Sequence, residues 1–204
     1  METTRVITVD PEQPAASALA EAVETLACGE PVIVPTETVY GLACRPDIDG
    51  AVERIYRAKG RPEDKPLPRM VANVEQVRRI ATDWPRAADR LAQAYWPGPL
   101  TLVLPTEAGT IAFRVPDHPV MLRLLEMAGA PLAVTSANRS GAPAALTAQE
   151  AVDALSGHVP LALDAGRARI AAPSTIVACH GADSQILRAG AVPSADILRI
   201  AGAD

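Results

Sequence analysis

Pro31-Val32-Ile33-Val34 runs directly into Pro35-Thr36-Glu37-Thr38-Val39-Tyr40-Gly41-Leu42, and later Pro131-Leu132-Ala133-Val134 runs into Thr135-Ser136-Ala137-Asn138-Arg139-Ser140-Gly141. Both are short, continuous apolar runs followed by hydroxyl and amide groups. A continuous apolar run is the pattern of a buried strand in a mostly parallel sheet. Open α/β sheets take their ligands in the crevice beyond the carboxyl ends of the strands. The two polar segments are therefore expected to form two walls of one pocket.

The same reading extends outward from these two strands. Residues 5–9 read as a strand, and 15–27 as a helix with Leu19, Val23 and Leu26 at helical spacing and Gly29 as a stop. Asp49 is expected to cap a helix over 50–57. A strand over 67–71 and helices over 75–80 and 87–95 follow. Strands are expected at 100–104 and 111–115, then a helix over 119–127 with Pro119 in its first turn. Thr147 and Glu150 form a capping-box pattern for a helix over 147–155. Strands at 161–163, 174–178 and 186–188 and a helix over 195–201 close the chain. Alternating strands and helices, with consecutive strands in the last third, predict an α/β fold. The expected architecture is a twisted mixed β-sheet flanked by helices, with a concave ligand cleft, as a single domain over residues 1–204.

The 204 residues are 49% hydrophobic and 21% charged, the balance of a folded globular chain. No apolar run approaches the ~20 residues that span a bilayer, so no membrane partner is expected. Met1-Glu2-Thr3-Thr4-Arg5 lacks a basic segment leading into an apolar one, so no signal peptide is expected. Cys28, Cys44 and Cys179 are too few and too scattered for a disulfide framework or a zinc site. A reducing, cytoplasmic location is the expectation. A net charge of −5 argues against a surface devoted to nucleic acid. At 3% of residues, aromatics leave few platforms for stacking bases.

Arg57, Lys59, Arg61 and Lys65 crowd one short segment, stiffened by Pro62 and Pro66. Such cations donate to phosphate or carboxylate oxygens, arginine in bidentate fashion. By composition alone, the segment reads equally as a solvated charged loop. Ser136-Ala137-Asn138 is likewise a common turn sequence. No Walker loop and no nucleophile elbow occur. His118, His158 and His180 show no ligand spacing and read as surface residues, so no tightly bound metal is expected. Glu37 and Asp164 are candidates to help hold a hydrated magnesium ion.

Taken together, these segments resemble the YrdC-like family of threonylcarbamoyl-AMP synthases. Its signature, K-x-R followed by S-x-N, stands here as Lys59-Gly60-Arg61 and Ser136-Ala137-Asn138. PTETVYGL at 35–42, KPL at 65–67, WPGPLTLVLP at 96–105, FRVPDHP at 113–119, TSANRSGAP at 135–143, PSTIV at 173–177 and ILRAG at 186–190 extend the likeness in order along the chain. The resemblance implies a nucleotidyltransferase that makes threonylcarbamoyl-AMP and pyrophosphate from L-threonine, bicarbonate and ATP, with Mg2+ accompanying ATP. The product would pass to tRNA-modification proteins, with a weak contact to tRNA itself. It implies catalytic roles for Lys59 and Arg61. It places Arg61, Lys65, Thr110, Asn138 and Arg188 on ATP, and Thr36, Thr38, Arg114, Ser136 and Ser174 on threonine, with Tyr40 a weaker candidate. An RNA-binding module and a relative acting on another amino acid or carbamoyl compound are the alternatives. The chain departs from the family where Met70 replaces a histidine found in some members, where Ala144-Ala145-Leu146 replaces S-P-T, and at Ala178 and Ala189. It also ends without the additional C-terminal domain of the longer members.

Overall fold

The computed structural model describes residues 3–181 and 183–202. Ten strands form one mixed sheet: β1 (Arg5–Thr8), β2 (Val32–Val34), β3 (Gly41–Cys44), β4 (Arg69–Met70), β5 (Leu100–Thr106), β6 (Gly109–Arg114), β7 (Leu132–Ser136), β8 (Leu161–Asp164), β9 (Thr175–His180) and β10 (Asp183–Arg188). Among the described residues, seven helices flank it: α1 (Ala16–Ala27), α2 (Ala51–Lys59), α3 (Val74–Arg78), α4 (Arg86–Tyr95), α5 (Pro119–Ala128), α6 (Ala148–Ala154) and α7 (Ser194–Ala201). The strand order is β1-β8-β2-β3-β7-β4-β6-β5-β9-β10.

The two strands that opened the sequence reading are not parallel neighbours. β2 lies parallel to β8 but antiparallel to β3, and β7 is antiparallel to both β3 and β4. Their continuous apolar pattern has another cause, burial on both faces. Val32, Val34, Leu132 and Val134 pack with Leu19, Leu26 and Leu124 of α1 and α5. Ile33 and Ala133 pack on the opposite face with Ile55 of α2 and Ala151 of α6. Burying one leucine-sized side chain contributes roughly 1.5–3 kcal/mol, so both layers hold the strand in register.

A third cluster sets the position of the cleft. Leu100, Leu102, Leu104, Phe113 and Val177 face α4 and α7, packing with Leu91 and Ile197. The side chains alternating with them, Thr101, Val103, Ala112, Arg114 and Ile176, line an open cavity instead. One half of one sheet face is thus left without a helix.

Local signals mostly hold. Thr147 Oγ1 accepts the Glu150 N–H, while the Glu150 carboxylate accepts from Leu146 N–H, one residue before the cap. Asp49 does not cap α2. Gly50 takes that place at φ 77°, a left-handed conformation that glycine adopts without strain. All three cysteines are free thiols, two of them buried.

Candidate active site

The segment read as a strand followed by a polar wall is a tight hairpin. Val34 of β2 pairs with Gly41 of β3, and residues 35–40 form the loop between them. A Cβ at Gly41 would come within 2.7 Å of Val134 Cγ1, so glycine permits β3 to pack there. Thr36 knits the loop together. Its hydroxyl donates to Val39 O at 2.6 Å and lies 2.9 Å from Thr38 Oγ1. A hydroxyl has one proton. With that proton on Val39 O, Thr36 must accept from Thr38, and Thr38 in turn accepts an N–H from Arg114 Nη1 at 2.9 Å. Protons run from Arg114 to Thr38 to Thr36 to Val39 O. Toward the cleft, Thr38 has only its one remaining lone pair to offer. Tyr40 is among the residues lining the cleft, but its side chain packs with Ile33 and Leu42 and its hydroxyl donates to Gly166 O at 2.6 Å.

Arg114 is buried, and each guanidinium nitrogen has a neighbour. Nε donates to Gly98 O at 3.0 Å, Nη1 donates to Thr38, and Nη2 lies 2.6 Å from Glu37 Oε1. The last contact is one of charge. Among the described residues, neither Nη2 nor either Glu37 oxygen has a partner in hydrogen-bond geometry. Glu37, an expected magnesium holder, is therefore committed to a cation of the protein. Asp164, the other, accepts the Gly166 N–H and lies beside the Tyr40 hydroxyl. Among the described residues, no group of three or more His, Cys, Asp or Glu is placed to hold a metal ion.

The two signature motifs meet through Lys59. Its buried ammonium donates to Ser136 O and Asn138 O, both at 2.5 Å. The main chain repeats the link, with Ser140 N–H donating to Lys59 O at 2.8 Å. Burial pushes the lysine pKa down to about 8, and nearby Arg61 adds to the shift. A base with a depressed folded-state pKa binds fewer protons folded than unfolded between the two values. Its contribution is thus complete above the unfolded pKa and lost as pH falls through the folded one. We expect wild-type stability, relative to Lys59→Met, to rise between pH 8 and about 10.5, the lower bound being the folded value and the upper the ordinary one. Urea unfolding of both proteins across that range checks this; a constant difference would refute it.

One cleft of about 570 Å³ gathers Thr36, Thr38, Arg61, Arg114, Ser136, Ser174 and Arg188. Its floor is apolar, with Met70, Val103, Ala112, Val134 and Ile176. Lys59, Lys65 and Asn138 do not line it. Lys65 is exposed, and its carbonyl accepts from Arg61 Nε at 3.2 Å. Asn138 donates its amide to Arg139 O and Ala142 O, while its buried Oδ1 has no partner among the described residues. Thr110 lines an adjoining pocket of about 410 Å³ that shares Pro66, Val103, Ala112 and Leu187 with the cleft. Arg188 reaches over Ser174, donating to its carbonyl oxygen at 2.7 Å and its hydroxyl at 3.2 Å. Thr101, absent from the sequence reading, contacts the Ser174 hydroxyl at 2.8 Å. Its signal was a lone hydroxyl inside the apolar run Leu100-Thr101-Leu102-Val103.

Gly190 is what lets the end of β10 close over Ser174. A Cβ there would stand 2.4 Å from Pro173 O and 2.5 Å from the Ser174 carbonyl carbon. Backbone cannot yield as a side-chain tip does. Gly190→Ala should cost about 1–3 kcal/mol as an overpacked site and displace Ser174 and Arg188. Urea unfolding combined with ligand titration measures both effects, and an undisturbed variant would contradict the contact.

A model of the Sua5/YciO/YrdC family, described as "Telomere recombination", matches residues 24–190. The threonylcarbamoyl-AMP synthase of Pyrococcus abyssi is 38% identical over 184 residues, covering 85% of this chain and 54% of that protein. The chain therefore spans about half the length of that relative. A putative threonylcarbamoyl-AMP synthase of Mycobacterium tuberculosis is 37% identical over 205 residues, covering 96% of this chain and 94% of its own length. The structure of P. abyssi Sua5 complexed with L-threonine superimposes with a TM-score of 0.92 at 36% identity, over 98% of this chain and 61% of that one.

Proposed function

This chain belongs to the Sua5/YciO/YrdC family, and from that premise we propose that its cleft joins L-threonine, bicarbonate and ATP into threonylcarbamoyl-AMP, releasing pyrophosphate. The observation that carries this reading is the convergence of Arg61, Arg114 and Arg188 with Thr36, Thr38, Ser136 and Ser174 in one cleft. Cationic and small hydroxyl groups from six separate segments suit a substrate with several anionic groups and a small polar body.

The chemistry needs positioning more than a covalent nucleophile. Bicarbonate condenses with the amino group of threonine, water leaves, and a carbamate forms. A carbamate oxygen then attacks the α-phosphorus of ATP in line, and the α–β bridging oxygen departs with pyrophosphate. Arg61 and Arg188 supply charge for the phosphates, and such stabilisation dominates phosphoryl-type transfer. Lys59 acts from behind, holding the Ser136 and Asn138 carbonyls. The apolar floor around Met70 takes the threonine methyl. Magnesium enters as part of the ATP substrate, held by the phosphates; Glu37 and Asp164 are already engaged within the protein. We place the whole activity on one domain over residues 1–204, in the cytoplasm, upstream of tRNA-modification proteins and with at most weak direct contact to tRNA.

The direct test is to incubate the protein with Mg·ATP, bicarbonate and L-threonine and to assay pyrophosphate and the adenylate. Both should appear together and require every component. Pyrophosphate formed without threonine or bicarbonate, or none at all, would overturn the proposal. Within it, Arg61→Ala should lower kcat/KM for ATP by at least ~10-fold, equivalent to about 1.4 kcal/mol, with little change in unfolding. Among the described residues, the Arg61 guanidinium donates only to carbonyls of its own loop, Lys65 O and Pro66 O, each at 3.2 Å. Pyrophosphate release equal to wild type would remove Arg61 from the site.

A further inference from the structure

We infer that Glu37 is a positioning residue for the reaction, acting through Arg114 to hold in place the Thr38 hydroxyl that the cleft presents to the amino-acid substrate. The inference rests on the threonine reading above and deepens it. Glu37 and Arg114 have side chains only 1% and 6% exposed, with charged atoms 2.6 Å apart. Glu37 does not line the cleft, whereas Arg114 does. Among the described residues, neither Glu37 oxygen has a hydrogen-bond partner, nor does the partly buried His118 Nδ1. A buried, unsatisfied carboxylate is an unusual expense in a fold, and such groups call for a reason.

The reason lies on the other side of Arg114. Glu37 draws Nη2 from behind, and Gly98 O fixes Nε at 3.0 Å. Held at both ends, the guanidinium plane directs an Nη1 N–H to Thr38 at 2.9 Å. Thr38 passes its own proton to Thr36, whose proton ends on Val39 O, so the arginine N–H takes one Thr38 lone pair and fixes the hydroxyl with the other free. The result is an acceptor-only hydroxyl at the cleft wall, suited to an ammonium, amine or hydroxyl of the substrate. Without the Glu37 charge, the guanidinium has an uncompensated buried charge and swings toward solvent or substrate anions. Thr38 then loses the N–H that fixes it, and the wall no longer holds its acceptor in place.

Three variants test this with steady-state kinetics: Glu37→Gln, Arg114→Gln and the double substitution. Glu37→Gln should raise KM for threonine at least ~10-fold while KM for ATP stays within about 3-fold, tenfold being the common measure of one lost recognition contact. Glu37→Asp, which keeps the charge, should restore part of the loss. The double variant should be no worse toward threonine than Arg114→Gln alone, because Glu37 has no route except Arg114. Equal rises in both KM values, no rise for threonine, or additive losses in the double variant would overturn the inference. If Glu37→Gln does not fold, comparing Arg114→Gln with the double variant decides by the same criterion. A wild-type protein without threonine-dependent pyrophosphate release would instead refute the functional reading. An active wild type with an unaltered Glu37→Gln variant would refute the role of Glu37 alone.

Discussion

Valine is expected to be rejected relative to threonine by as much as ~10⁴-fold in kcat/KM, the discrimination reached when a site built to hydrogen-bond a hydroxyl meets an analogue lacking it. Valine has nearly the shape of threonine, so the apolar floor of Met70, Val103, Ala112, Val134 and Ile176 cannot tell them apart. The polar wall can. Thr38 presents its one remaining lone pair and no donor of its own, and a bound methyl would leave that lone pair buried and unpaired. Serine keeps the hydroxyl and lacks one methyl, a difference of ~1–3 kcal/mol, so its rejection should be only about 10-fold. Met70 is flexible and unbranched and fills irregular space, which makes serine the substrate most expected to leak through. Pyrophosphate release with each amino acid in turn measures this series. Valine turning over as well as serine would show that the hydroxyl is not read.

Arg114→Gln should cost about 3–5 kcal/mol of unfolding free energy, the usual effect of breaking a buried ion pair from one side. Glu37 would be left buried with no counter-charge and, as in the intact protein, no hydrogen-bond donor. For a chain of this size, each kcal/mol shifts Tm by ~2–4 °C, so a fall of roughly 6–20 °C is expected. The double Glu37→Gln, Arg114→Gln variant should recover most of that loss, because replacing both charges by neutral groups is often close to neutral for stability. Recovery of stability without recovery of threonine affinity separates the pair's two consequences. A double variant as unstable as Arg114→Gln would mean that the arginine matters for its bonds to Gly98 and Thr38, and not for charge.

The sequence by itself determined most of the elements, and the order of the family motifs pointed to the chemistry. Periodicity found the helices because an amphipathic face repeats locally, and the apolar runs found β2 and β7 because burial on both faces leaves no polar position. The strand β3 was hidden within PTETVYGL and its continuation, since a glycine followed by Leu42-Ala43-Cys44 carries no alternation to read. The strand β4, only two residues long, was smaller than the run predicted for it. Tertiary structure alone decided the pairings. Lys59 meets the carbonyls of residues 77 and 79 positions away, Glu37 meets Arg114, and Thr101 meets Ser174. Such contacts depend on which strands become neighbours, and strand order is set by long-range packing that no local window contains. The direction of the proton chain from Arg114 to Thr36 likewise exists only once three distant or turn-bound groups share one small volume. Residue types told that hydroxyls and cations were available; the fold decided which of them were already spoken for.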